Sequence, residues 1–132
     1  MRHSHGIIAL LLTTIACSET DRCIAAHWRV VDSPSGRRRA TVFSGPCPGA
    51  APQILLEFRR SGIGSGVFAV DDSVMQAQVR WAGEDTLEIS YSTAARVSQQ
   101  RTFIQGGNEH VVVRYAARDD KPAISTTPPN EH

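Results

Sequence analysis

The stretch Gln76-Ala77-Gln78-Val79-Arg80-Trp81-Ala82-Gly83-Glu84-Asp85-Thr86-Leu87-Glu88-Ile89-Ser90-Tyr91 decides the fold. Ala77, Val79 and Trp81 alternate with Gln76, Gln78 and Arg80. After a glycine-containing turn the alternation resumes, with Leu87, Ile89 and Tyr91 on one side. A period of two marks half-buried strands, and two such runs across a short turn make a hairpin.

The same pattern extends in both directions. Downstream, Arg96 to Ile104 reads as one strand. Gly106-Gly107-Asn108 then leads into Val111 to Ala116, where Val111, Val113 and Tyr115 share a side. Upstream, Val67 to Val70 is a short strand preceded by a loop, Ser61 to Gly66. Gln53 to Arg60 sets Ile54, Leu56 and Phe58 on one face. Arg37 to Ser44 opposes Ala40 and Val42 to Arg39 and Thr41. His27 to Asp32 is the first strand, with Trp28 and Val30 together. No amphipathic run of helical period competes with these. The expected fold is all-β: a compact antiparallel meander, sandwich or small barrel of about seven to eight strands. Alternation does not distinguish an open sheet from a closed barrel.

The 132-residue chain carries 14 Lys+Arg against 13 Asp+Glu. Such balance gives no reason to expect nucleic acid or an anionic membrane surface as partner. The expected organisation is a signal segment over 1–16, a tether over 17–25, one domain over 26–116 and a disordered tail over 117–132.

The signal reading rests on Arg2, the apolar run Ile7 to Ala16 and the polar Ser18-Glu19-Thr20-Asp21 beyond it. That run is about half the ~20 residues a transmembrane helix needs, so it suits a cleaved export signal. Ile15-Ala16-Cys17 resembles the lipobox of bacterial lipoproteins, with Thr14 standing where that pattern has Leu. The resemblance implies a lipid on Cys17 and anchoring at the cell membrane or outer membrane, facing the periplasm. Ser18 is similar to the outer-membrane sorting pattern of Gram-negative lipoproteins. The alternative is a plain signal cut after Ala16, or later near Ala25 or Ala26, which leaves a soluble periplasmic or secreted protein.

Three cysteines are an odd number for an exported chain. With Cys17 assigned to lipid, Cys23 and Cys47 remain to pair in an oxidising compartment. Ser33-Pro34-Ser35-Gly36 reads as a type I turn closing a three-residue hairpin loop. A register with Ser33 opposite Arg37 sets Cys23 opposite Cys47, and a bond there would stabilise the fold by ~3.5 kcal/mol through loop closure. The Ser33–Phe43 stretch also resembles the SPDGK-type hairpin of small uncharacterised bacterial proteins. In those a W-x4-TLEI-x-Y segment follows, matched here by Trp81 and Thr86-Leu87-Glu88-Ile89-Ser90-Tyr91. That family has no assigned function, so the resemblance bears on fold over residues 28 to 116. The turn is also similar to one blade edge of Trp-Asp or TolB-type propellers, but a propeller needs about four blades or more.

No catalytic, cofactor or metal residues emerge. His27, His110 and His132 have no HExxH or carboxylate cluster around them. Asp71-Asp72 lacks the further oxygen ligands of a calcium loop and reads as a turn. Gly62, Gly64 and Gly66 precede a strand, so they do not make a phosphate loop. Arg37 and Arg39 face opposite to Arg38, so the run reads as a solvated edge. Trp28, Trp81 and Tyr91 read as core or cross-strand pairs. The expectation is a non-enzymatic, lipid-anchored envelope domain with an envelope protein partner. One alternative is a tethered inhibitor, by analogy with small β-barrel lysozyme-inhibitor lipoproteins. Another is a small hydrolase using His110 with a carboxylate.

Overall fold

Alternating runs become nine strands and no helix in a computed structural model, which describes residues 28–46 and 51–119. β1 (Trp28–Asp32), β2 (Arg38–Phe43), β3 (Gln53–Phe58), β4 (Ile63–Val70) and β7 (Val97–Gln100) form one sheet in the order β1-β2-β3-β4-β7. β5 (Ala77–Trp81), β6 (Thr86–Ser92), β8 (Phe103–Gly106) and β9 (Glu109–Arg118) form the other, in the order β5-β6-β9-β8. Both sheets are open. Their inner faces share one core, with Ala40, Val42, Ile54, Leu56, Phe58 and Phe68 from the first and Leu87, Ile89, Ile104, Val111 and Val113 from the second. The fold is a sandwich.

Four departures from the sequence reading have physical causes. The expected strand from Arg96 to Ile104 is two strands in different sheets. Val97 packs against the core and Ile104 is buried, yet they stand an odd number of residues apart. No straight strand turns both inward. The chain bends at Arg101-Thr102 instead, and this corner bonds to both sheets: Arg101 N–H donates to Val67 O at 2.8 Å and Val113 N–H to Thr102 O at 2.8 Å. The detour brings β9 back between β6 and β8, parallel to β6, so the topology is not a simple antiparallel meander.

The second departure is at β4, which begins at Ile63 rather than Val67. A tight turn over Arg59–Gly62, with Gly62 at φ 72°, places Gly64 and Gly66 in the strand opposite Glu57 and Leu55. A bulge at Val67 then turns both Val67 and Phe68 into the core, which regular pairing forbids. Third, β9 continues through Arg118, so Ala117 and Arg118 belong to the domain rather than to the expected tail.

The fourth is a register. The Ser33–Gly36 turn forms, with Gly36 N–H on Ser33 O at 2.8 Å and Gly36 at φ 74°. Its loop is one residue longer than expected, because Ser33 N–H donates to Arg38 O at 2.9 Å. A one-residue slip sends side chains to the other face. Val31 therefore lies opposite Ala40 and turns toward the core, while Trp28 and Val30 point outward. Trp28 is 52% exposed rather than a core residue. The same slip removes the register that set Cys23 against Cys47. Cys17, Cys23, Cys47, His27 and the signal segment lie outside the described residues.

Along β6 and β9 the sandwich has two ends. At the end where both strands finish, Phe68 meets Tyr91 at 5.2 Å and Tyr115 at 5.8 Å between ring centroids. The Tyr115 hydroxyl reaches Val67 O at 2.9 Å and Arg101 O at 2.6 Å, joining β9 to β4 and to the corner. Burial pushes the Tyr115 hydroxyl up to about 12. The opposite end carries charge.

Candidate functional site

At that opposite end, parity with Ala40 and Val42 sends Arg38 inward, where it is only 8% exposed. Its guanidinium lies 5.9 Å from the centroid of the Phe58 ring. Nη2 stands 3.0 Å from Asp85 and 3.8 Å from Glu109, and Nη1 stands 3.5 Å from Glu84. The Nε donor has no hydrogen-bond partner. Three carboxylates, two from the β5–β6 turn and one from the start of β9, thus compensate one buried cation, as a buried charge requires.

Glu84 has a second task. It accepts hydrogen bonds from the Ser35 N–H and, at 2.6 Å, from the Ser35 hydroxyl. The Ser35 hydroxyl, helped by the Ser35 N–H, the Ser33 hydroxyl and the charge of Arg38, outweighs desolvation and holds its carboxyl below the usual range. The Ser-Pro-Ser-Gly turn is thereby docked onto the turn between β5 and β6. Nearby, Trp81 Nε1 donates to Val31 O at 2.9 Å, tying edge strand β5 to edge strand β1. The two stretches singled out in the sequence, Ser33–Gly36 and Trp81–Tyr91, meet in space through these bonds.

Pairing of β2 with β3 also brings the sequence-distant Arg37 and Arg59-Arg60 together. Arg59 N–H donates to Arg37 O at 2.9 Å, and Arg59 Nη1 approaches Gly36 O at 3.5 Å. Arg37, Arg38 and Arg60 line a cleft of about 550 Å³ together with Asp85, Glu109, Asn108 and His110. Its floor is set by Gly106, where a Cβ would collide with the Phe58 ring. His110 stacks on Phe103, 5.8 Å between ring centroids. Arg37 and Arg60 make no ion pair among the described residues, whereas Arg39 pairs with Asp32, Arg80 with Glu88 and Arg96 with Asp72.

The outer face of the five-stranded sheet is different. The register aligns Val30, Thr41, Leu55 and Gly66 in one row across four strands. Trp28 lies beside Val30, and both Val30 and Leu55 are 40% exposed. Gly64 and Gly66 leave a furrow of about 320 Å³ along Leu55, walled by Thr41 and Glu57. The Asp32–Arg39 pair, 2.8 Å apart, borders the row on one side.

Other residues named from the sequence find structural places. Trp81 and Tyr91 pack against the core. The Asp72 carboxylate accepts from the Arg96 N–H at 2.9 Å and Arg96 Nε at 3.0 Å, which hold it below its usual range, the N–H most. It organises a turn, as read. Among the described residues no three His, Cys, Asp or Glu side chains are grouped so as to hold a metal ion. The sequence reading placed Arg38 on a solvated edge and missed Glu84, Arg59 and Arg60. One signal was available for Arg38, its shared parity with Ala40 and Val42. None was available for the others, whose roles depend on which turns meet.

Compared with family models, curated proteins and solved structures, the chain has no match.

Proposed function

We propose that this chain is an exported, lipid-anchored envelope domain that works by binding a protein partner rather than by catalysis. Cys17, at the junction of an apolar run and a polar one, supplies the anchor in this reading. Diacylglyceryl and N-acyl chains hold stably where a single chain does not. Cys23 and Cys47 form the disulfide, and neither cofactor nor nucleic acid is involved.

The observation that carries partner binding is the outer row Val30–Thr41–Leu55–Gly66 with Trp28 beside it. An exposed tryptophan and two aliphatic side chains, bordered by charged residues, match the make-up of an interface core with a polar rim. On the opposite outer face Gln78, Arg80, Glu88 and Ser90 line one polar cleft, while Phe103 and Val112 form a smaller exposed apolar pair.

The test uses the full chain in its native envelope, with a photo-crosslinking residue placed at Leu55 or at Ser90. An envelope protein captured from position 55 and not from 90 supports the reading. Equal capture from both positions, or none from 55, contradicts it. Mass spectrometry of the mature N-terminus tests the anchor: an unmodified Cys17, or a start beyond it, removes the lipid. Non-reducing peptide mapping that finds Cys23 and Cys47 as free thiols removes the disulfide.

A further inference from the structure

We infer that the arginine-lined cleft beside Arg38 binds a phosphate group carried on a larger molecule. Two arginine runs far apart in sequence converge there, since the Arg59 N–H bonds the Arg37 carbonyl and Arg60 follows in the turn. Arg38 is matched by Glu84, Asp85 and Glu109. Arg37 and Arg60 make no ion pair among the described residues, and the lining of the cleft sets three guanidiniums, those of Arg37, Arg38 and Arg60, against the two carboxylates of Asp85 and Glu109. Converging like charges repel, and an anion seated among them relieves that repulsion.

The buried member adds a second, independent sign. Arg38 lines the same cleft, is more than nine-tenths buried, and has an Nε donor without a partner. The forked donors of Arg37 and Arg60 suit tetrahedral oxyanions, which accept two parallel bonds from one guanidinium. Asn108 and His110 also line the cleft, and their side chains can hydrogen-bond the remainder of a ligand. The volume, about 550 Å³, lies in the range of small-molecule sites and far exceeds one phosphate. The phosphate is therefore one group of a larger ligand, either a soluble phosphate ester or a phospholipid headgroup. This site lies away from the Trp28–Leu55 face and does not depend on partner binding there.

The test follows backbone and side-chain NMR signals of the folded protein as inorganic phosphate is added at constant ionic strength. A parallel arm measures binding to phosphatidylcholine vesicles with and without phosphatidylglycerol. Saturable shifts at Arg37, Arg60, Ser61, Asn108 and His110 support the site. The double variant Arg37→Ala/Arg60→Ala should weaken binding about tenfold or more, because charge-assisted bonds are lost. Arg80→Ala, on the outer face of the other sheet, should leave it unchanged. Binding confined to phosphatidylglycerol vesicles, and lost in the double variant, assigns the phosphate to a lipid headgroup. Identical shifts with chloride, or binding indifferent to the double variant, overturns the inference, as does absence of both responses below about 1 mM phosphate.

Discussion

The two ends of the sandwich hold the same pair of sheets together by opposite means. At one end Phe68, Tyr91 and Tyr115 pack ring against ring, and the Tyr115 hydroxyl bonds two carbonyls. At the other, Arg38 lies beneath three carboxylates and the Ser33–Gly36 turn is held by Glu84. Apolar packing is insensitive to salt and to most of the pH scale. Charge compensation is sensitive to both, and its surplus cations remain available to a ligand. Stability is concentrated at the aromatic end and responsiveness at the ionic one.

Substitutions sharpen this contrast. The largest effect should come from Phe68→Ala, which deletes a fully buried ring between the sheets. A loss of about 3–5 kcal/mol is expected in urea unfolding, typical of a large-to-small core change. Arg38→Ala should cost less, about 2 kcal/mol. Breaking a buried pair costs about 3–5 kcal/mol when the partner stays buried, but here Glu84 and Asp85 are exposed enough to regain water. Arg38→Met, which keeps a stem against Phe58, should recover part of that loss. If Arg38→Ala proves as damaging as Phe68→Ala, the ends do not differ as described.

Tyr115→Phe should be milder again, about 1 kcal/mol, since the ring stays and one hydroxyl is lost. Its diagnostic is pH. The folded-state pKa of Tyr115 is raised from 10.0 to about 12, so its contribution is complete below 10 and disappears as pH climbs toward 12. Thermal midpoints of the wild type should fall over that window more steeply than those of Tyr115→Phe. Smallest of all should be Arg80→Ala. Its partner is Glu88 on an exposed surface, where solvent screens the pair and little stability is lost with it.

The ends also differ in how far they could be read from sequence. Leu87, Ile89, Val111 and Val113 declare themselves by alternation, because the core selects one face of each strand. The ionic end depended on quantities that alternation does not hold. One extra residue in the Ser33–Arg38 loop exchanged Trp28 and Val30 for Val31 on the inner face. The break at Arg101-Thr102 was legible only as the odd spacing between Val97 and Ile104. The meeting of Ser35 with Glu84, and of Arg37 with Arg59, follows from how hairpins lie against each other. Nothing within either hairpin specifies it.

Acid separates the two ends most directly. Glu84 and Asp32 have folded-state pKa values lowered, by the Ser35 hydroxyl and by the Arg39 hydrogen bond respectively. Groups of that kind contribute stability above their ordinary pKa, near 4, and lose it as pH falls through the lower folded value. Asp72 behaves likewise at the aromatic end, but it is an exposed pair with no buried charge beneath it. Protonating Glu84 removes part of the charge that compensates the buried Arg38 guanidinium and releases the Ser33–Gly36 turn. Hydrogen-exchange protection, measured residue by residue at neutral pH and near pH 3, reports which end opens. Protection should fall first at Ser33, Gly36, Arg38 and Val112, while Arg101 and Met75 retain theirs. Uniform loss, or earlier opening around Val67, Tyr91 and Tyr115, would contradict the division between a charged end and a packed one.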